Sequence, residues 1–188
     1  MDSLPSTAQQ IEGSDKFFAI SINMLKTDMV TDFDLYLPAH EGRKPVLYRE
    51  GALPFTDVSR KRLINNHVEK VYISTKQHSL YNHYIEQTLG DVLNDTSIPK
   101  GERSNVLYDS ARELVKEAME DPRSGDLIAR STAMINNTVD FLYNDSESFE
   151  HLMRLTSYDY YTYTHSVNVF VFMTALSQRL GYTLDEVK

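Results

Sequence analysis

One histidine behind a run of tyrosines is the side chain of this sequence best suited to chemistry. His165 follows the tyrosine-rich stretch 158–163, and the most apolar segment of the chain, 167–176, comes directly after it. The apolar residues cover all sides of a helix rather than one stripe, which predicts a buried helix beginning near His165. A histidine at that place either packs with its ring nitrogens bonded to the backbone or projects between helices as a metal ligand. Spacing alone favours the packed histidine.

The residues around His165 also match a family motif. The run Tyr160–Asn168, Y-Y-T-Y-T-H-S-V-N, closely resembles the opening helix of the HD-GYP domain, a bacterial branch of the HD phosphohydrolases. In that family the histidine of the T-H-S-V motif is the first metal ligand, so the resemblance implies that His165 binds metal. It also implies an all-α domain that holds two or three metal ions, usually iron or manganese, and hydrolyses cyclic di-GMP by attack of a metal-bound hydroxide.

This resemblance covers only residues 157–188. The family's further ligands, which include an H-D pair, and its G-Y-P motif have no counterpart here, and the chain contains no His-Asp dipeptide. Some members place a glutamate four residues before the first histidine to hold a third metal. Tyr161 stands at that position, which favours a two-metal site in the parent protein. Because a catalytic metal needs three or more protein ligands, we predict that the 188-residue chain alone binds no metal cofactor and is inactive.

The tyrosines before His165 are the candidates for substrate contact. Their rings could stack on a nucleobase, but tyrosines at the edge of a buried helix more often complete a core and keep their hydroxyls in water. Tyr161 and Tyr163 are the weak substrate-binding candidates of this group, which also contains Tyr158 and Tyr160.

Composition limits the partners and the compartment. The net charge is −8 and the isoelectric point is near 5.2, which disfavours a nucleic-acid partner because phosphate binding requires a basic surface. The absence of cysteine fits a reducing compartment. Residues 1–15 lack the basic-then-apolar pattern of a signal peptide, and the run 169–176 is too short to span a bilayer. The sequence therefore predicts a soluble, cytoplasmic protein.

The first half of the chain predicts a small α+β module. After a disordered leader, 1–15, a module over 16–95 alternates strand patterns with turns, and Thr56 is placed to cap a helix through Ile64. Asp32 and Asp34 have a spacing of two, which predicts a solvated strand face. The pieces D-F-D-L-Y-L, V-L-Y-R-E-G and V-Y-I-S resemble regions found ahead of many HD-GYP domains and imply a regulatory role with no specified ligand. The predicted strands cover 17–22, 32–37, 46–49 and 71–74.

The second half predicts helices. Thr75 is placed to cap the first of them, and connecting helices follow over 102–156, with breaks at Pro99 and at 121–125. His151 is assigned to the surface by default. Gly181 suits the left-handed position after a helix, and Thr183 with Glu186 forms a capping-box pattern that starts another helix. A chain that stops on a helix start is expected to be part of a longer protein.

Together these patterns predict an α+β protein in which a small N-terminal module precedes helices that lead into an all-α HD-type domain, 157–188. The implied function is that of the regulatory portion of a metal-dependent cyclic di-GMP phosphodiesterase. The alternative is a non-catalytic signalling, ligand-sensing or protein-interaction module in which the HD-like helix serves only for packing. Because that helix is apolar on every side, we also expect self-association through the helical region.

Overall fold

The chain divides into two units, Met1–Tyr84 and Ile85–Lys188, which we call the N-terminal unit and the helical unit. The structure, a computed structural model, describes residues 16–39, 44–123, 125–144, 146–156 and 162–188. A small antiparallel sheet is followed by helices, so the predicted α+β fold class is confirmed. The boundary between the units falls inside a helix, and each unit is described by itself.

Most strands of the N-terminal unit form an antiparallel sheet in the order β1-β6-β3-β4, and β2 pairs separately with β5. In the sheet Phe17 lies opposite Ser74, and Tyr36 lies opposite Tyr72. The core contains fully buried side chains from strands and loops, among them Phe33. The strands are Phe17–Ser21 (β1), Met29–Val30 (β2), Leu35–Leu37 (β3), Val46–Arg49 (β4), Pro54–Phe55 (β5) and Lys70–Ser74 (β6).

The predicted cap of the first helix, α1 (Asp57–Asn65), is confirmed. The Thr56 hydroxyl accepts a hydrogen bond from the Ser59 amide at 3.2 Å, which satisfies one of the free N–H groups at the helix start. Further along α1, the Arg60 guanidinium donates to the carbonyl of Leu25 at 2.9 Å. Arg60 thus connects α1 to the segment that follows β1.

The prediction of one strand face for Asp32 and Asp34 is wrong, because β3 begins only at Leu35. Asp32 has a positive φ of 59°, a left-handed conformation that aspartate tolerates in turns. Asp34 is half-buried, and its carboxylate accepts a hydrogen bond from the Gly51 amide at 3.0 Å. A Cβ on Gly51 would lie 2.4 Å from the Phe33 amide nitrogen, so this close approach requires glycine.

The helical unit confirms the predicted succession of helices, with small shifts at their ends. Ser74, and not Thr75, caps the turn before α2, and its hydroxyl accepts from the Lys76 amide at 3.3 Å. The helices are α2 (His78–Asn94), α3 (Lys100–Glu120), α4 (Leu127–Asn144), α5 (Ser146–Thr156), α6 (Thr162–Arg179) and α7 (Leu184–Val187), and the unit boundary lies within α2.

A charged cluster links three helices of the helical unit. Arg130 on α4 donates to the Glu86 carboxylate of α2 at 2.7 and 3.0 Å and to the Glu117 carboxylate of α3 at 2.7 and 2.6 Å. These hydrogen bonds, that of Glu117 first, raise the pKa of the Arg130 guanidinium above its usual value. One always-charged fork therefore satisfies two carboxylates at once.

None of the helices in the described parts of the chain combines the length and the apolar character that crossing a membrane requires.

Candidate functional site

The helix that carries His165 is α6, and its end follows the predicted pattern. Gly181 has a φ of 84°, the left-handed conformation that glycine adopts without strain. The Tyr182 amide donates to the Ser177 carbonyl and the Gly181 amide donates to the Gln178 carbonyl, each at 3.1 Å. These two bonds satisfy carbonyls at the helix end in a Schellman motif, so the predicted role of Gly181 is confirmed.

One side of α6 packs against the helical unit, and the other side is exposed. Thr164 and Val171 are buried on the inner side, together with Val167, Thr174 and Ala175. On the outer side Phe172 is 41% exposed and Leu176 is 49% exposed, and Val169 and Met173 are exposed as well. The prediction of a helix buried on all sides is therefore wrong for the described chain, because neighbouring helices cover only one of its apolar sides.

His165 lies on the exposed part of α6, one turn after the helix begins at Thr162. It is therefore not the packed histidine that spacing alone favours. Among the described residues, no three His, Asp or Glu side chains come together in a way that could hold a metal ion. On α6 the described residues thus offer one accessible imidazole, that of His165, and do not fit a metal centre by themselves, because such a centre needs several ligands.

The tyrosines predicted to contact substrate are described only in part. Tyr163 lies in the first turn of α6 and is half-buried. Tyr161, like Tyr158 and Tyr160, lies outside the described residues. The substrate-binding role of these rings stays a prediction.

His151 is assigned to the surface from the sequence, and the structure corrects this assignment. It is half-buried on α5, and its ring lies against Gly101 of α3, where a Cβ would come within 3.5 Å of Nδ1. Gly101 thus leaves room for the imidazole ring at the contact between α3 and α5.

Sequence reasoning missed the polar contacts that hold α6. The buried Tyr108 of α3 donates from its hydroxyl to Oδ1 of Asn168 at 2.9 Å. Ten residues further along α6, Nε2 of Gln178 donates to the carbonyls of Leu142 and Tyr143 of α4 at 3.3 and 3.4 Å. The available signal was the presence of an amide side chain at each end of an apolar run. The partners, however, are 60 and about 35 residues away in sequence.

Comparisons with known proteins find a similar fold. No protein-family model matches the chain, and no curated protein matches it either. A solved structure with a similar fold is that of Bd1817, an HDG"Y"P protein from Bdellovibrio bacteriovorus, with a TM-score of 0.51 and 23% sequence identity. The match covers 89% of this chain and 54% of that chain, so this chain spans about half the length of the protein it resembles. At this identity the likeness shows the fold alone.

Proposed function

We propose that this chain is the N-terminal, regulatory portion of a metal-dependent HD-GYP-type phosphodiesterase that hydrolyses cyclic di-GMP. The observation that carries the proposal is the position of His165. The one histidine within the T-H-S-V-N motif stands exposed on α6, in a chain whose fold resembles that of an HDG"Y"P protein. An exposed imidazole is available to a metal ion, whereas a packed one would not be.

The chemistry of His165 limits what the chain does alone. A neutral imidazole binds iron or manganese through one ring nitrogen, and a stable site needs further ligands. Within the described residues no such set surrounds His165. The proposal therefore assigns the remaining ligands to a longer protein and predicts that the 188-residue chain neither retains a transition metal nor hydrolyses cyclic di-GMP.

The charge of the two units supports a division of roles. The N-terminal unit, 1–84, contains ten Lys and Arg against ten Asp and Glu, whereas residues 85–188 contain nine against seventeen. The helical unit therefore carries the whole net charge of −8, and the N-terminal unit carries no net charge. Its proposed role is regulatory, and its signal is not specified by these residues.

The test uses the longer protein that carries this chain. His165→Ala should lose bound iron or manganese and cyclic di-GMP hydrolysis together, both measured on the purified protein. His83→Ala is the matched control, because His83 is also exposed and helical but lies on α2. We expect this control to keep both properties. A fully metallated and active His165→Ala protein would contradict the proposal.

The exposed side of α6 favours a second candidate function, that of a protein-interaction module. Four neighbouring apolar side chains face solvent there, and apolar patches of this kind commonly mark interaction surfaces. In that case the wild-type longer protein would bind no metal and would not cleave cyclic di-GMP, and His165→Ala would change neither result. The same measurements therefore separate the two functions.

A further inference from the structure

The apolar pattern of α6 does not determine which side of this helix faces inward. Val167 and Val171 are buried, yet Phe172 and Leu176 on the outer side are equally suited to a core. In most helices a single apolar stripe selects the orientation. Rotating α6 about its own axis would bury a different apolar side in place of the present one. The hydrophobic effect alone therefore does not determine the rotational orientation of α6.

Polar side chains on the inner side of α6 break this ambiguity. Asn168 accepts a hydrogen bond from the buried Tyr108 hydroxyl of α3 at 2.9 Å. Gln178 donates to the last carbonyls of α4, which have no partner within their own helix. We call these three bonds, one at Asn168 and two at Gln178, the anchoring hydrogen bonds. Asn168 and Gln178 are about 15 Å apart along α6, so their bonds together oppose both rotation and tilting of the helix.

The anchoring hydrogen bond at Asn168 also decides where His165 points. At about 100° per residue, Asn168 lies about 60° around the helix from the buried Val171 and about 60° from His165 on the other side. Phe172 and Leu176 lie on the same outer side as His165. A rotation that buried these two side chains would therefore turn the imidazole toward the other helices of the helical unit and break the hydrogen bond between the Tyr108 hydroxyl and the Asn168 amide, and the loss of a buried hydrogen bond is costly.

We propose that Tyr108 and Asn168 are positioning residues whose hydrogen bond sets the rotation of α6 and thereby keeps His165 facing outward. Buried polar groups select one helix register among several apolar alternatives in other helical assemblies. The inference about the orientation of α6 follows from the described contacts and does not depend on the proposed function. The importance of this orientation for catalysis rests on the role proposed for His165.

The deciding experiment replaces the anchoring pair by apolar side chains in the 188-residue chain. Tyr108→Phe combined with Asn168→Leu removes both polar ends of this hydrogen bond together and keeps apolar side chains of similar size, so the double variant should stay folded by circular dichroism. The readout is the rate at which diethyl pyrocarbonate modifies His165, followed by peptide mass spectrometry. We expect a several-fold slower modification of His165 than in the wild type, with faster amide exchange along α6.

Thr174→Val is the matched control. Thr174 is buried on the same side of α6, but its hydroxyl donates to the Phe170 carbonyl within the helix at 3.0 Å. This variant also removes a buried hydroxyl, yet it should leave the reactivity of His165 unchanged. A double variant with wild-type reactivity would show that packing shape sets the rotation and would overturn the inference, and so would one that fails to fold. Because no metal is involved, neither result depends on the outcome of the His165→Ala experiment.

Discussion

Helices α4 and α6 have the same length, 18 residues, but they hold their places in different ways. Helix α4 buries one apolar face, which includes Val139 and Leu142, and adds the Arg130 cluster at its start. Helix α6 is apolar on both its buried and its exposed sides and has no acidic residue. An apolar stripe therefore orients a helix only when the opposite side of that helix is polar. Without that contrast, a few hydrogen bonds must determine the orientation.

The largest expected effect comes from equal truncations on the two helices. Leu142→Ala on α4 removes a fully buried side chain and should lower the free energy of unfolding by about 3 kcal/mol, because it leaves a cavity. Leu176→Ala on the exposed side of α6 should change it by less than about 0.5 kcal/mol. Urea unfolding of both variants measures the difference. Similar losses would mean that the outer side of α6 is buried in solution.

The Arg130 cluster should give the next largest effect. Arg130→Met leaves the carboxylates of Glu86 and Glu117 facing each other without their shared partner, and we expect a loss of about 2 kcal/mol. Arg112→Met is the control, because the ion pairs of Arg112 with Asp109 and Glu113 lie within α3. Arg112 and Glu113 are half-buried and Asp109 is exposed, and ion pairs near the surface contribute about 0–1 kcal/mol. Equal urea midpoints for the two variants would contradict a special role of the cluster.

A smaller effect concerns association. The exposed apolar side of α6 predicts that the chain self-associates weakly, so its average mass in sedimentation equilibrium should rise with concentration. Leu176→Glu should abolish this rise by placing a charge within the apolar side. Ile128→Glu is the control, because Ile128 is an exposed apolar residue of a different helix, α4. A wild-type chain that stays monomeric at all concentrations, or an equal effect of both variants, would refute association through α6.

The smallest effect is a pH dependence at the end of the chain. The Thr183 amide and hydroxyl each donate to the Glu186 carboxylate at 2.8 Å and lower its pKa below the usual 4.5. Because the pKa of Glu186 is lower in the folded than in the unfolded chain, its ionised carboxylate stabilises α7 at any pH above the unfolded-state pKa. This contribution is lost as the pH falls through the folded-state pKa. Hydrogen exchange of the Thr183 amide, corrected for the intrinsic pH dependence of exchange in an unstructured peptide, should therefore become faster as the pH is lowered. Glu186→Gln should remove this excess, whereas Glu120→Gln should keep it.

Local signals in the sequence determined most of the secondary structure. Thr56 caps α1, Gly181 closes α6 and Glu186 binds the Thr183 amide as the patterns predicted. These features depend on residues within one or two turns of each other, so neighbouring letters suffice to predict them. The α+β order of the fold follows from periodicities of the same short range. The candidate metal ligand His165 likewise came from a short motif.

Only the tertiary structure decided which faces of these elements are buried. Ile128 and Ile135 are apolar residues of α4, yet both are exposed. Asp34, expected on a solvated strand face, organises a turn through Gly51. The outward position of His165 depends on Tyr108, which lies 60 residues from its partner Asn168. Burial and hydrogen bonding at these sites depend on which distant segments meet, and the periodicity of a single segment carries no information about its partner.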